Sequence, residues 1–363
     1  MSIDGRVLVV TPPSTNRGGV AHYYRVLREH FGPEVEYFPR GGGGDETNPA
    51  GALRLLKDVR RFARQMKRRD IDLVQLNPSF GYKSLLRDRF FMSSAKRANK
   101  PVILFFRGWD PRCERVVRRF FLAWFRSPFF EADLIIVLSR RFERSLREMG
   151  FTGPISVETT VVPDFVFDRA AREPEESACA AEPTSKVLFL SRLERDKGVY
   201  DVIQTHRILV EAHPGVRLLI AGEGTELARA KELVRTQHIP GVSFLGYVEG
   251  DAKDAVYRGA DICFFPSSYG EGMPNSVLEA MAYGLPVVTR YVGGLNDFFE
   301  NERMGYATDS RDAETFAELI GLLIVDAEKR NEMGRFNRAY AEEHFRASRV
   351  AERFRSLYYG RFL

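Results

Sequence analysis

The chain of 363 residues is longer than one hydrophobic core ordinarily serves, so two domains are expected. Its 44% hydrophobic and 28% charged content is ordinary for a soluble globular protein; no apolar run approaches the ~20 residues of a membrane span, no signal-peptide pattern opens it, and three scattered cysteines, Cys113, Cys179 and Cys263, make neither a disulfide framework nor a metal spacing. A cytoplasmic setting follows. Charge is uneven: residues 1–165 hold 29 Lys and Arg against 18 Asp and Glu, and residues 166–363 hold 25 against 31. A basic first half fits an anionic partner (phosphate, membrane lipid or nucleic acid) or a solvated, Arg-rich surface.

Arg6–Val10 reads as a buried parallel-type strand, followed by the loop Thr11–Val20 and a helix over 21–30. Gly18-Gly19 at that helix entrance allows close approach to a phosphate, or makes an ordinary turn. His22 is a packed helix residue or a catalyst. Gly41 to Gly44 is a flexible loop. The spacing over 51–68 predicts an amphipathic helix with Leu53, Leu56, Val59, Ala63 and Met66 on one face and basic residues opposite. Leu73–Leu76 is the next strand. Its loop, Asn77 to Gly81, stands at a strand's carboxyl end, which makes Asn77 a candidate acceptor contact. Asp70-Ile-Asp72 has the D-x-D spacing of some metal sites but precedes its strand, so it is expected to face solvent. Helix 82–98, strand Val102–Phe106 and the turn Arg107-Gly-Trp-Asp110 come next.

Segment 112–130 interleaves Arg115, Arg118, Arg119 and Arg126 with Val116, Val117, Phe120, Phe121, Trp124 and Phe125. It reads as an amphipathic helix at a membrane surface, or as a core helix with a solvated rim; helix 82–98, with Phe90 and Phe91, shares either role. Strand Leu134–Leu138, a helix over 140–149 capped by Ser139, and a last strand at Thr159–Val162 complete a first domain of residues 1–165. Residues 166–185, rich in Glu, Ala, Pro and Ser, read as a linker.

A second domain, residues 186–340, opens with strand Lys186–Leu190. Arg192 and Lys197 flank the strand-to-helix loop before helix 199–212 and can reach one anion there, or stand as surface charges. Strand Val216–Ala221 leads into Gly222-Glu-Gly224, a weak fingerprint because the third glycine is missing. Helix 225–237, strand Val242–Leu245, Gly246-Tyr247 and helix 251–258 follow. Then Cys263-Phe264-Phe265 stops at Pro266. A small-residue loop runs to a helix with Asn275 or Ser276 as N-cap, which ends near Gly284; Pro286 opens strand Val287–Thr289. Glu271 lies in that loop and Glu279 about one turn into the helix. Two acids facing an anion would repel it. They make better sense as acceptors for hydroxyls, with loop amides serving a phosphate, which describes a sugar nucleotide. The alternative is a solvated loop acid and a helix ion pair. The remainder is helical, with a final helix within residues 341–363 and its approach, Tyr340 to Tyr359.

The stretch Glu271-Gly-Met-Pro-Asn-Ser-Val-Leu-Glu279-Ala-Met-Ala-Tyr-Gly-Leu-Pro-Val-Val288 resembles the signature of family-four retaining glycosyltransferases. That resemblance implies the α/β GT-B fold, two Rossmann-like domains with parallel sheets facing an interdomain cleft, and a final helix crossing back to the first domain. The family's second signature, R-L-x-x-x-K-G, is met at Arg192 to Gly198. It implies diphosphate contact and leaving-group stabilisation by Arg192 and Lys197. By the same resemblance Gly18 and Gly19 face the diphosphate, Gly222 abuts the nucleotide and Tyr247 passes near the base. Gly272, Met273, Asn275, Ser276 and Glu279 bind the donor, Glu271 serves catalysis, and Gly293-Gly294 turns near the sugar. The family commonly carries His just past the strand at 102–106, where this chain has Arg107. Arg107 could hold a phosphate of the acceptor or leaving group. Asp110 could take the acceptor's proton, or cap the helix beginning near Pro111. The implied chemistry is metal-free and front-face, with a nucleotide-sugar co-substrate and a glycan or lipid-linked acceptor in polysaccharide or glycoconjugate biosynthesis. Peripheral contact with an anionic membrane, at its cytoplasmic face, fits the basic first half.

Two other readings remain open on the sequence. One is a phosphorylase or epimerase of the same architecture. The other is a non-catalytic nucleotide-sugar-binding subunit, favoured by Arg107. A nucleic-acid partner is not expected, because no nucleic-acid motif accompanies the basic half.

Overall fold

A computed structural model describes residues 5–16, 18–41, 49–170, 185–270, 272–360 and 362. The chain divides into two compact units, one of Met1–Val161, Gly270–Met273 and Ala347–Leu363, the other of Val162–Tyr269 and Pro274–Arg346.

The first unit is built on six strands: β1 (Val7–Thr11), β2 (Val35–Pro39), β3 (Leu73–Leu76), β4 (Val102–Phe105), β5 (Leu134–Val137) and β6 (Ile155–Val157). All pair in parallel, in the order β2-β1-β3-β4-β5-β6. The central strands β1, β3, β4 and β5 are buried at every position, as a parallel sheet covered on both faces requires. Helices Gly19–Leu27 and Ala347–Tyr359 pack together. Tyr23, Phe105 and Phe354 form one aromatic cluster, with centroids 5.6 to 6.2 Å apart.

The second unit repeats the plan with β7 (Lys186–Leu190), β8 (Arg217–Ala221), β9 (Val242–Gly246), β10 (Ile262–Phe265), β11 (Val287–Arg290) and β12 (Gly305–Thr308). The order is β12-β11-β10-β7-β8-β9, again parallel. In each sheet the chain leaves its first strand on one side and returns on the other, which creates a switch point between β1 and β3 and another between β7 and β10. Ligands of open α/β sheets bind beyond the carboxyl ends of strands at such points.

Several elements differ from expectation. The first sheet ends at β6, not at Thr159–Val162. Val162 belongs to the second unit, where its N–H bonds to Phe345 O at 2.8 Å, while Arg346 pairs with Asp164 and Asp168. Segment 112–130 is two helices, Pro111–Phe120 and Leu122–Phe129, because Phe121 leaves helical geometry. The last helical stretch likewise breaks at Phe345, between Ala327–His344 and Ala347–Tyr359. Residues 171–184 of the expected linker, Cys179 and Gly42 to Gly44 lie outside the described residues. Among the described residues no helix is long and apolar enough to cross a membrane.

Candidate active site

The switch point of the second unit is made by the loops after β7 and β10, and these two loops are laced together. Ser268 N donates to Asp196 O at 2.9 Å, and the Ser267 hydroxyl reaches the same carbonyl at 3.4 Å. Gly198 sits at φ +91°, where a side chain would be strained, and a Cβ there would lie 2.9 Å from Pro266 O. The loop after β8 joins from the other side. Leu193 N donates to Glu223 O at 2.9 Å, and Glu226 N to Leu193 O at 3.0 Å. Gly222 at φ +141° is held so close that a Cβ would fall 1.9 Å from Ser191 O. Arg290 at the end of β11 donates to Pro266 O at 3.1 Å.

Within this frame both cations expected from the sequence lie over one aromatic ring. Lys197 Nζ is 4.2 Å and the Arg192 guanidinium 5.9 Å from the centroid of Tyr269. Lys197 is buried in the turn before helix Val199–Ala212. Arg192 is exposed and pairs with Glu194 at 2.6 Å, a surface contact weak enough for a phosphate to replace. Tyr247, half exposed, follows Gly246 at the end of β9.

Helix Asn275–Ala282 starts one residue earlier than the expected caps allow. Pro274 takes the N-cap position, and Asn275 and Ser276 are the first helical residues. Glu279 points into the unit and is buried. Its carboxylate accepts from Lys253 Nζ at 2.6 Å and from the Tyr257 hydroxyl at 2.9 Å. Burial, and then the Glu279 charge beside it, push the Tyr257 hydroxyl well above its ordinary pKa, so it stays protonated and donates. Each Glu279 oxygen keeps one lone pair for a further donor. Glu271 lies outside the described residues.

In the first unit the loops after β3 and β4 are also joined. Arg107 N donates to Pro78 O at 2.8 Å, Phe80 N to Gly108 O at 2.8 Å, and Asp110 N to Phe80 O at 2.9 Å. Asn77 is committed to this framework rather than open to an acceptor. It is buried, accepts from the Tyr24 hydroxyl at 2.5 Å and donates to Val10 O at 2.9 Å, which ties β1 to β3. Asp110 is the N-cap of helix Pro111–Phe120, with Oδ1 accepting from Arg112 N at 2.8 Å. Arg107 lays its guanidinium over Tyr23 and Phe105, 3.8 and 4.3 Å from their centroids, and its buried Nε and Nη1 have no hydrogen-bond partner. Gly18 is the N-cap of the first helix with Gly19 at its first position, and a Cβ on Gly18 would meet nothing within 4 Å. No internal packing therefore demands glycine at position 18. Gly272 and Met273 pack in this unit: a Cβ on Gly272 would lie 2.7 Å from Leu138 and 3.1 Å from Arg107 O, and Met273 covers the core.

Sequence reasoning missed Tyr269, Lys253, Tyr257 and Arg290. Only Tyr269, directly before the glycine-rich loop, carried a local signal. Among the described residues no group of three or more His, Cys, Asp or Glu is placed to hold a metal ion.

Comparison with known proteins agrees with this layout. The family described as "Glycosyl transferases group 1" matches residues 173–340. Spore coat protein SA of Bacillus subtilis is 31% identical over 199 residues, 52% of this chain and 52% of that protein. Glycogen synthase of Mycobacterium tuberculosis is 31% identical over 197 residues, 54% of this chain and 46% of that protein. A D-inositol 3-phosphate glycosyltransferase of Corynebacterium jeikeium is 32% identical over 243 residues, 62% and 57% respectively. The chain spans about half the length of the curated relatives it matches. Two solved structures share the fold over nearly all of both chains. Anabaena Alr3699/HepE in complex with UDP and glucose has a TM-score of 0.70 at 18% identity, covering 97% of this chain and 99% of that one. Sucrose-phosphate synthase from Thermosynechococcus elongatus has a TM-score of 0.75 at 19% identity, covering 98% of each. The architecture, two Rossmann-like α/β domains, is that of the GT-B class.

Proposed function

We propose, from the match of residues 173–340 to the glycosyl transferases group 1, that the chain is a retaining glycosyltransferase that moves a sugar from a nucleotide-sugar donor to a glycan or lipid-linked acceptor. The observation that carries the reading is the pairing of Arg192 and Lys197 over Tyr269, in the laced mouth at the β7/β10 switch point. A diphosphate placed there meets two cations and the start of a helix.

In this reading the acceptor hydroxyl attacks the anomeric carbon on the face the nucleotide leaves, and a donor phosphate oxygen takes its proton. The glycosyl–oxygen bond to the diphosphate breaks, and Arg192 and Lys197 hold the departing charge without a metal ion. Glu271 and Glu279 accept from sugar or ribose hydroxyls, and Tyr247 lies along the path of the base. Relatives whose names include glycogen synthase and a capsular polysaccharide biosynthesis glycosyltransferase support a saccharide acceptor. A basic first unit supports an acceptor presented at an anionic membrane. Asp110 caps its helix through Oδ1 and Asn77 ties β1 to β3, and in this reading the proton goes to the donor phosphate.

A nucleoside diphosphate is expected to raise the melting temperature. Lys197→Ala is expected to abolish that shift and to slow donor turnover by ~10²–10³-fold. No shift with any nucleoside diphosphate or nucleotide sugar overturns the donor site. The replacement of the usual His by Arg107 favours a second reading, a binding subunit without chemistry. Donor binding with no hydrolysis and no glycoside product would select it.

A further inference from the structure

Three consecutive helical layers follow β2, β3 and β4: Pro49–Gln65, Tyr82–Arg97, and the pair Pro111–Phe120 and Leu122–Phe129. Their strands run in one direction across the sheet, so right-handed crossovers put all three on one face. Side chains join them. The Phe62 and Phe91 rings are 5.0 Å apart, Arg89 donates to the carbonyls of Trp124 and Ser127, and the Tyr82 hydroxyl meets Arg112 O at 3.5 Å.

The outer surface of this layer is apolar and basic together. Leu53 and Leu56 are 54% and 45% exposed, Leu86 and Phe90 52% and 48%, and Phe120 and Phe121 68% and 52%. Leu86 and Phe90 are four apart and Leu53 and Leu56 three apart, so each pair forms a stripe. Leu53 and Leu56 were expected on the core face. Of the other residues expected on that face, Met66 is buried and Val59 packs on the core, joined there by Phe62 and Leu55.

These stretches carry fifteen Lys and Arg and three acids, and none of the acids is exposed. Asp58 pairs with Arg61, Asp88 is buried, and Glu114 takes Arg118 and the Trp109 indole. A second copy of the same face would meet like charge. A nucleic acid would answer the charge and leave six large apolar side chains in water.

We propose that this face docks on an anionic lipid bilayer, with the leucines and phenylalanines entering the interfacial region and the lysines and arginines meeting headgroups. The inference rests on the proposed function only for its purpose, which is to bring the site to a membrane-held acceptor; vesicle binding itself needs no donor.

The test is co-sedimentation of the full chain with vesicles of phosphatidylcholine, with and without phosphatidylglycerol. Binding to the anionic vesicles is expected to exceed binding to neutral ones by ~10-fold or more, and to fall with salt. Leu86→Ser with Phe90→Ser, and separately Phe120→Ser with Phe121→Ser, are each expected to weaken it by about tenfold at unchanged melting temperature. The proposal is overturned if wild type ignores both vesicles, or if the serine variants bind as wild type does. A concentration-dependent dimer dissolved by the same variants, without vesicle binding, also overturns it. Loss of vesicle binding with donor turnover intact rejects this surface alone, whereas intact vesicle binding without turnover rejects the transferase alone.

Discussion

A lysine as buried as Lys197 is costly unless its charge is answered. The face of Tyr269 answers part of it, and the same ring carries the Arg192 guanidinium 5.9 Å from its centroid. Both cations were legible in the sequence because their spacing around a strand-to-helix turn puts them on one loop. For Tyr269 only its place before a glycine-rich loop was legible; its position over the cations depends on that loop, some 70 residues later, folding back against Asp196. For Asp110 the sequence offered two roles. Local geometry took the framework role, since an aspartate before proline at a helix start finds an N–H two residues on. The buried ion cluster below the β3 loop went unread because Arg40, which joins Ser84, Arg87 and Asp88, is distant in sequence. Burial pushes the Asp88 carboxyl up, but Arg40 at 3.7 Å, Arg87 at 3.0 Å and the Ser84 hydroxyl pull it further down, and the net direction is below the ordinary value. A depressed folded pKa means stability that is present above the unfolded value of about 3.9 and lost as pH falls through the folded one. Asp88→Ala is therefore expected to lose ~3–5 kcal/mol at neutral pH, with the gap to wild type narrowing in acid, as measured by urea unfolding.

At the scale of elements, interior strands announce themselves. β1, β3, β4, β5, β7, β8, β10 and β11 are apolar runs because both faces of a parallel sheet are covered. The strands not read correctly, β2, β6 and β12, are sheet edges with half-exposed or short, mixed sequences such as Val-Glu-Tyr-Phe-Pro and Ile-Ser-Val. Helix breaks at Phe121 and Phe345 were equally hidden. Neither follows a glycine or proline, and Arg346 leaves the helix to pair with Asp164 and Asp168, distant in sequence. The glycine turn after β8 was legible as a motif, but its steric reason is visible only in the fold. Gly222→Ala would drive a methyl into Ser191 O, in a backbone region a side chain avoids. Its expected cost is about 1–3 kcal/mol in urea unfolding, together with weaker nucleotide binding by titration, because Ser191 begins the loop that carries Arg192.

On the scale of the molecule, the two sheets use the two common doubly wound orders, and their switch points explain why the expected donor residues follow β7, β8 and β10. That much was within reach of the sequence once its motifs were placed on strands. The membership of the C-terminal helix could be expected only through a family resemblance, since nothing local in Ala347–Tyr359 names its partners. Phe354 there is fully buried against Tyr23 and Phe105. Phe354→Ala is expected to cost ~3–5 kcal/mol, read as a lower denaturant midpoint.

The same helix imposes an order on biosynthesis. The sheet it covers is complete at Val157, about 190 residues before Ala347 emerges, which at ~5–20 residues per second is roughly 10–40 s of translation. Through that interval the nascent first unit lacks the cover for Tyr23 and Phe105.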